Sequence, residues 1–309
     1  MRGLVVRTQA GFYTVETQTG FLICRLRGKL RKVRLQGDVI AVGDWVRLSQ
    51  LDNQRGIIEE VEDRKRIFCR MAPYSGGTRL GRRSTKREYQ QILIANPDQV
   101  MLVFACKEPT PRFGMLDRFL VIAEKQGVPA CIIVNKIDLS SKEEAESTFS
   151  HYDELGYKVI YTSAHLMLGL EYLKEQMAGK ISLLTGPSGA GKSSLLNAVQ
   201  PGLGLQVRQV SRATSKGKHT TVVREMFPLD IGGYVADTPG LKALALWDIE
   251  PEEMDAYFPE MRTLVADCQF SNCTHIREPG CAIIEAVHKG GINPIRYQSY
   301  LRMRCGEVD

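Results

Sequence analysis

Residues 186–193 read Gly-Pro-Ser-Gly-Ala-Gly-Lys-Ser, directly after the apolar run "ISLLT" and directly before "SLLNAV". This is G-x-x-x-x-G-K-[ST] in the setting that gives it meaning, a strand ending in a glycine-rich turn that opens a helix. Glycines at 186, 189 and 191 let successive N–H groups turn inward around a phosphate, and the helix start adds the positive end of its dipole. A plain glycine turn would not need Lys-Ser at its end. The motif commits this part of the chain to a sheet of parallel strands with helices on both faces. The surrounding pattern agrees: "VMLVFAC", "PACIIVNKID", "KVIYTSA" and "ISLLTG" are apolar runs, alternating with the amphipathic stretches "MLDRFLVIAEKQG", "KEEAESTFSHYDELG" and "GLEYLKEQM".

From Gly186, Pro187, Ser188, Gly189, Ala190, Gly191, Lys192, Ser193 and Ser194 a triphosphate cradle follows, with Lys192 reaching the β- and γ-phosphates and the Ser193 hydroxyl ligating Mg²⁺. Base choice falls to Asn135, Lys136, Ile137 and Asp138 at the end of the strand "ACIIV". A carboxylate at Asp138 accepts two hydrogen bonds from the N1–H and 2-amino group of guanine, whereas adenine offers an acceptor there, so the wrong base leaves a charged group unpaired. "TSA" ends the next strand; Ser163 and Ala164 belong to it, and the Ala164 N–H is a donor for guanine O6. Downstream, "SKGKHTT" (215–221) supplies a threonine to the Mg²⁺ shell, Thr221 ahead of Thr220. "VADTPG" (235–240) supplies Asp237 as the metal-organising carboxylate and Gly240 as an N–H donor to the γ-phosphate.

Charge is uneven along the chain. The first 90 residues hold 19 Lys and Arg against 9 Asp and Glu; the remainder holds 22 against 26. The basic end is therefore the nucleic-acid candidate. Its segments "GLVVRT", "FYTVET", "FLICRLR", "KVRLQG" and "WVRLSQ" are short and alternating with turns between them, which suggests a small barrel of the OB type. "RLRGKLRKVRL" (25–35) alternates cationic and apolar positions, fitting either a face toward RNA or a charged edge strand that resists aggregation. "APYSGGTRLGRRSTKREYQ" (72–90) lacks apolar periodicity and reads as a mobile connector.

Eight cysteines without a secretory signal read as thiols or metal ligands, not as a disulfide framework. "DCQFSNCTHIREPGC" spaces Cys268, Cys273, His275 and Cys281 as a closed Cys₃His set for one structural Zn²⁺. Cys24, Cys69, Cys106, Cys131 and Cys305 are isolated and read as core thiols. Flanking stretches "EEMDAYFPEMRTLV" and "AIIEAVHKG" read as helices that cap the metal loop. "PIRYQSYLRMR" reads as a basic amphipathic helix that either touches RNA or seals the domain. No stretch approaches eighteen uninterrupted apolar residues, so no membrane association is expected and the cytoplasm is the expected compartment.

The order of these parts is the unusual feature. Base-reading loop, Ser-Ala loop, phosphate loop, threonine switch and Asp-x-x-Gly switch run from residue 135 to 240, a cyclic shift of the usual GTPase order. With the basic barrel in front and the cysteine-histidine cluster behind, the arrangement resembles the circularly permuted, ribosome small-subunit-dependent GTPases of the RsgA/YjeQ family over nearly the whole chain. The expected fold class is a circularly permuted α/β P-loop GTPase with an N-terminal OB-type barrel and a C-terminal, mostly helical zinc-binding domain. The expected boundaries are 1–67 (barrel), 68–90 (basic connector), 91–245 (GTPase) and 246–309 (zinc-binding).

The resemblance implies GTP hydrolysis with GTP/GDP and Mg²⁺ in late maturation of the small ribosomal subunit, contact with its rRNA, and stimulation by the subunit. A monomer is expected. Leu241 stands where a Ras-like enzyme uses Gln to orient water, and the resemblance points to His219 for that role. The Asp-x-x-Gly segment runs directly into the C-terminal domain, so a γ-phosphate-ordered switch would pull on that domain. Two rivals are a GTP-gated RNA-binding scaffold with incidental turnover and a P-loop metabolic kinase; no insertion suited to a kinase acceptor site or lid is visible.

Overall fold

The computed structural model describes residues 1–28, 38–73, 88–204, 224–237 and 249–306. The N-terminal strands are β1 (Arg2–Gln9), β2 (Phe12–Thr17), β3 (Gly20–Leu26), β4 (Trp45–Gln50) and β5 (Arg55–Val61). They close in the order β1-β2-β3-β5-β4-β1, with β3 and β5 parallel and the other pairs antiparallel. This is an OB-type barrel. Alternation fixes which side chains enter it: in β3, Leu22 and Cys24 point in while Phe21, Ile23 and Arg25 point out. Val5, Val15, Val46, Leu48 and Ile58 complete the interior.

One expected strand, "KVRLQG", lies outside the described residues. A strand not expected, Arg55–Val61, lies between β3 and β4 in the barrel; its paired glutamates at 59 and 60 break the alternation that would have revealed it. Of the basic stripe at 25–35, Arg25 and Arg27 are described and both are exposed.

The span 68–90, expected as a connector, differs at both ends. β6 (Ile67–Pro73) and β7 (Glu88–Ala95) pair antiparallel as a two-stranded sheet. Short apolar triplets hold them: Phe68 and Ile94 enter the main core, and Cys69 and Ile92 form a small cluster with Ala41 and Ala95. Residues 74–87 lie outside the described set.

The central sheet is built from β8 (Gln99–Ala105), β9 (Ala130–Asn135), β10 (Lys158–Tyr161), β11 (Ile181–Thr185), β12 (Arg224–Pro228) and β13 (Tyr234–Asp237). Its order is β10-β9-β8-β11-β13-β12, parallel except for β12. Helices α1 (Phe113–Lys125) and α2 (Lys142–Glu154) cover one face; α3 (Leu170–Met177) and α4 (Lys192–Val199) cover the other. β8 is buried at every position, as a strand covered on both sides must be. α2 starts where Ser141 accepts the Glu144 N–H at 3.1 Å, an N-cap with acidic residues in the first turn. The strand β1 of the barrel also pairs with β12, so barrel and central sheet form one continuous run of strands.

The C-terminal region consists of a 3₁₀ segment Pro251–Tyr257, a single turn α5 (Pro259–Arg262), a 3₁₀ turn Val265–Asp267, and helices α6 (Ala282–His288) and α7 (Pro294–Arg304). Its core gathers Met254, Phe258, Met261, Ile283, Tyr300 and Met303 around Val121 of α1. α1 thus faces two cores, Phe119 and Leu120 toward the sheet and Val121 toward the C-terminal region. Each such buried side chain contributes about 1.5–3 kcal/mol. α7 packs its Arg296, Ser299, Tyr300 and Met303 inward, so it seals the domain. Among the described residues no helix is long and apolar enough to cross a membrane.

Candidate functional site

The carboxyl ends of β9, β10 and β11 converge. Asn135 closes β9 and is 1% exposed. Its Nδ2 donates to the Ala190 carbonyl of the phosphate loop at 2.9 Å, while its Oδ1 accepts from Thr162 Oγ1 and from the Ala164 N–H, each at 3.3 Å. One amide therefore joins three loops that are more than fifty residues apart at their extremes. The Ala164 N–H, expected to face guanine O6, is directed at this asparagine.

Lys136 follows in the left-handed region, φ 63°, and its ammonium donates to the Glu108 carbonyl. The Lys136 carbonyl accepts the Cys106 thiol at 2.8 Å. Burial pushes the Cys106 thiol pKa up, which keeps it protonated and able to donate. Cys106, expected in the core, is buried, but it also pins the Asn-Lys-Ile-Asp loop. Asp138 Oδ1 accepts the Ser163 hydroxyl, and Ser163 Oγ in turn accepts the Leu166 N–H at 3.0 Å. Ile137 N–H donates to the Thr162 carbonyl at 3.2 Å. The "TSA" segment thus braces "NKID" side by side, and no motif spacing announces this.

In the phosphate loop, Gly186 and Gly191 are required by contact. A Cβ at Gly186 would sit 2.0 Å from the Val103 carbonyl oxygen, and one at Gly191 would sit 2.3 Å from Asn135 Nδ2; φ is +145° and +89° respectively. Gly191 is the N-cap of α4, so Lys192 and Ser193 occupy its first turn. The Lys192 ammonium arches over the loop, donating to the Gly186 and Pro187 carbonyls at 2.8 Å each. Pro109 lies against the loop at Gly189. Asp237 closes β13 opposite Leu184 of β11, beside the phosphate loop in the sheet. His219, Thr220, Thr221, Gly240 and Leu241 lie outside the described residues.

A second cluster sits in the C-terminal region. The ligand atoms of Cys268, Cys273, His275 and Cys281 all lie within 4.8 Å of one another. His275 Nδ1 is 3.3 Å from Cys281 Sγ and 3.6 Å from Cys268 Sγ. Its Nε2–H faces Asp255 Oδ2 at 3.1 Å, which leaves Nδ1 as the lone-pair donor toward the thiols. Desolvation and the neighbouring Cys281 raise the Cys273 thiol pKa, a crowding of acidic sulfurs that a cation relieves. The soft, closed donor set fits one tetrahedral Zn²⁺.

The loop around it is tied on all sides. Glu278 accepts the N–H groups of Thr274, Ile276 and Arg277, and its carboxyl pKa is held far below the usual range, first by the Thr274 hydroxyl. Tyr297 and Tyr300 of α7 donate to the carbonyls of His275 and Thr274 at 2.6 and 2.9 Å. Of the isolated cysteines, Cys24, Cys69 and Cys131 are buried as expected, whereas Cys305 is exposed at the end of α7, where the chain has left the core.

Comparison with known proteins bears on both sites. Residues 77–247 match the sequence profile of the RsgA GTPase and residues 2–58 that of the RsgA N-terminal domain. A protein of Gemmatimonas aurantiaca named small ribosomal subunit biogenesis GTPase RsgA is 42% identical over 303 residues, covering 98% of this chain and 96% of its own. The protein of the same name from Moorella thermoacetica is 40% identical over 301 residues, covering 97% and 95%. Among solved structures, YjeQ from Thermotoga maritima aligns at TM-score 0.77 with 37% identity, covering 98% of this chain and 97% of its own. YloQ, described as a circularly permuted GTPase, aligns at 0.71 with 28% identity, covering 98% and 93%.

Proposed function

The chain belongs to the RsgA GTPase family, a GTP hydrolase of small ribosomal subunit biogenesis, and from that premise we propose how its residues divide the work. The observation that carries the assignment is the Asn135 amide, which brings the base-reading and phosphate loops to one cleft. Asp138 reads guanine through N1–H and the 2-amino group, with Ser163 fixing its orientation. Lys136 covers the nucleoside side of the cleft, and Ala164 turns its N–H to O6 once guanine competes with the 3.3 Å contact to Asn135.

Gly186 to Ser194 wrap the phosphates, and Lys192 exchanges its two loop carbonyls for β- and γ-oxygens. Ser193 and Thr221 would hold Mg²⁺, with Asp237 organising its shell and the Gly240 N–H on the γ-phosphate. When bound, the ion would supply charge neutralisation to the phosphates. Leu241 has no group that orients water, so His219 takes that task when the protein is on the subunit.

We assign residues 1–67 to the barrel that meets rRNA, 91–245 to the GTPase and 246–309 to a unit folded around one structural Zn²⁺ on Cys268, Cys273, His275 and Cys281. The protein acts as a cytoplasmic monomer on the small subunit late in its maturation. The test is GTP hydrolysis with and without purified small subunits, ATP serving as control. We expect slow turnover alone, clear stimulation by subunits and no ATP hydrolysis. An unstimulated rate would favour a GTP-gated scaffold, and an unchanged stimulated rate in His219→Ala would remove the histidine from the mechanism.

A further inference from the structure

β12 and β13 form an antiparallel hairpin, Met226 opposite Ala236 and Pro228 opposite Tyr234. Its two ends lead to the two proposed switches: β12 begins at Arg224, just after the threonine segment 215–221, and β13 ends at Asp237. The hairpin is also where the barrel is attached. β1 pairs with β12 through Arg7 opposite Glu225 and Thr8 opposite Arg224. Arg224 Nη1 meets Asp38 Oδ2 at 3.0 Å, and Arg7 Nη1 meets Glu225 Oε1 at 3.8 Å. On the second strand, the Tyr234 hydroxyl donates to Glu16 of β2. The Arg224 and Asp38 side chains are only 20% and 29% exposed, so their pair is better shielded than an ordinary surface pair.

Asp38 is itself held on the barrel. Arg64 donates to the Asp38 and Val39 carbonyls and is locked to the buried Asp44 by two bonds of 2.7 Å. A displacement of Arg224 therefore meets a rigid support. A strand ladder does not stretch: it keeps its register or breaks. Beside the hairpin's turn lies a cavity of about 680 Å³, lined in part by Glu16, Trp45, Gly233 and Tyr234.

We infer that Arg224, Asp38 and Glu16 are positioning residues for the GTPase reaction, coupling the β12–β13 hairpin to the barrel so that nucleotide state and barrel position bias each other. The inference rests on the nucleotide reading above. None of the three touches GTP; each acts through the hairpin. Such coupling is reciprocal: a partner that moves the barrel changes nucleotide preference by the same factor by which the nucleotide changes partner affinity.

Hydrogen exchange on the full-length protein, loaded with GDP or with a non-hydrolysable GTP analogue, tests this. In the wild type, amides of β1 near Arg7 and Thr8 should exchange about fivefold or more differently in the two states, the low end of ordinary coupling. In Asp38→Asn combined with Glu16→Gln that difference should vanish, while affinity for either nucleotide in the free protein stays within about twofold because no nucleotide contact is touched. Asp38→Arg alone should likewise abolish the difference and Asp38→Arg with Arg224→Asp restore it, which traces the coupling to that pair. If residues 215–221 respond to the nucleotide and β1 does not, the coupling is wrong and the nucleotide site stands. If 215–221 do not respond either, the site itself has been misread and the inference falls with it.

Discussion

Asp138 and Asn135 sit three residues apart and are held differently: Asn135 bonds to the scaffold, whereas Asp138, proposed above to read the base, bonds only to Ser163 among the described contacts. Asn135 bonds the scaffold through both Nδ2 and Oδ1, so its replacement by Ala would leave the Ala190 carbonyl and the Ala164 N–H without this partner. Asp138 bonds Ser163 through Oδ1, and in the proposed site its carboxylate edge meets the base. Asn at 138 would present an amide donor where guanine offers its own amino group, and where xanthine offers a carbonyl. We expect Asp138→Asn to weaken GTP binding by about 100-fold, the scale of a lost charged hydrogen bond plus an unpaired donor, and to gain xanthosine triphosphate. Competition against a fluorescent nucleotide reads both; unchanged preference would remove Asp138 from the base site. Gly43 gives a second test at this scale, on folding alone. It has φ +90°, and a Cβ there would lie 2.0 Å from the Ala95 carbonyl oxygen at the junction of barrel and β7. Gly43→Ala should cost at least about 1–3 kcal/mol in urea unfolding, from left-handed strain before any clash is counted.

At the scale of elements, what could be read in advance was whatever chemistry forces into a short span. The phosphate loop, the Asn-Lys-x-Asp turn and the Cys₃His loop each need several special residues within a few positions, so each announces itself. Elements held by partners distant in sequence did not. β5 hides because Glu59 and Glu60 interrupt its alternation, and its place in the barrel comes from pairing with β3 and β4. β6 and β7 were masked by the basic stretch between them. The "NKID" and "TSA" motifs were legible, whereas Cys106 beneath them was not, since a lone thiol in an apolar run looks like core until its carbonyl partner is seen. Asp255 was missed in the same way: it stands before the cluster in sequence but orients His275 from behind. Asp255→Ala should lower Zn²⁺ affinity by about 10–100-fold, as loss of such a carboxylate does elsewhere, measured by competition with a chromogenic chelator. Equal affinity would show that the 3.1 Å contact is incidental.

For the whole molecule, the question is what the C-terminal region hangs from. The sequence suggested a tether, with the Asp-x-x-Gly switch feeding into it; residues 238–248 are outside the described set, and the described contacts show a broad dock on α1. At its centre Arg296, in the helix read as basic and amphipathic, is completely buried. Burial opposes its charge, but Asp117 of α1 at 2.7 Å and Glu260 of α5 at 2.7 Å hold it protonated, with its guanidinium between the rings of Phe258 and Tyr152. Tyr152 of α2 adds its hydroxyl to Asp117. α1 and α2 flank β9, so the region is fastened to the helices on either side of the proposed base-reading loop, and any pull from the proposed switch would work against this anchor. Removing one partner of such a triad strands the others: Arg296→Ala leaves two carboxylates in a dry interior and should cost about 3–5 kcal/mol. Replacing the charges together, Arg296→Met with Asp117→Asn and Glu260→Gln, should recover much of that, because neutral groups carry no comparable desolvation penalty. Urea unfolding followed by zinc release distinguishes the two outcomes. A single variant as stable as the wild type would mean that the dock is held by the apolar contacts around Val121 alone, and the C-terminal region would then be as free to swing as a tether allows.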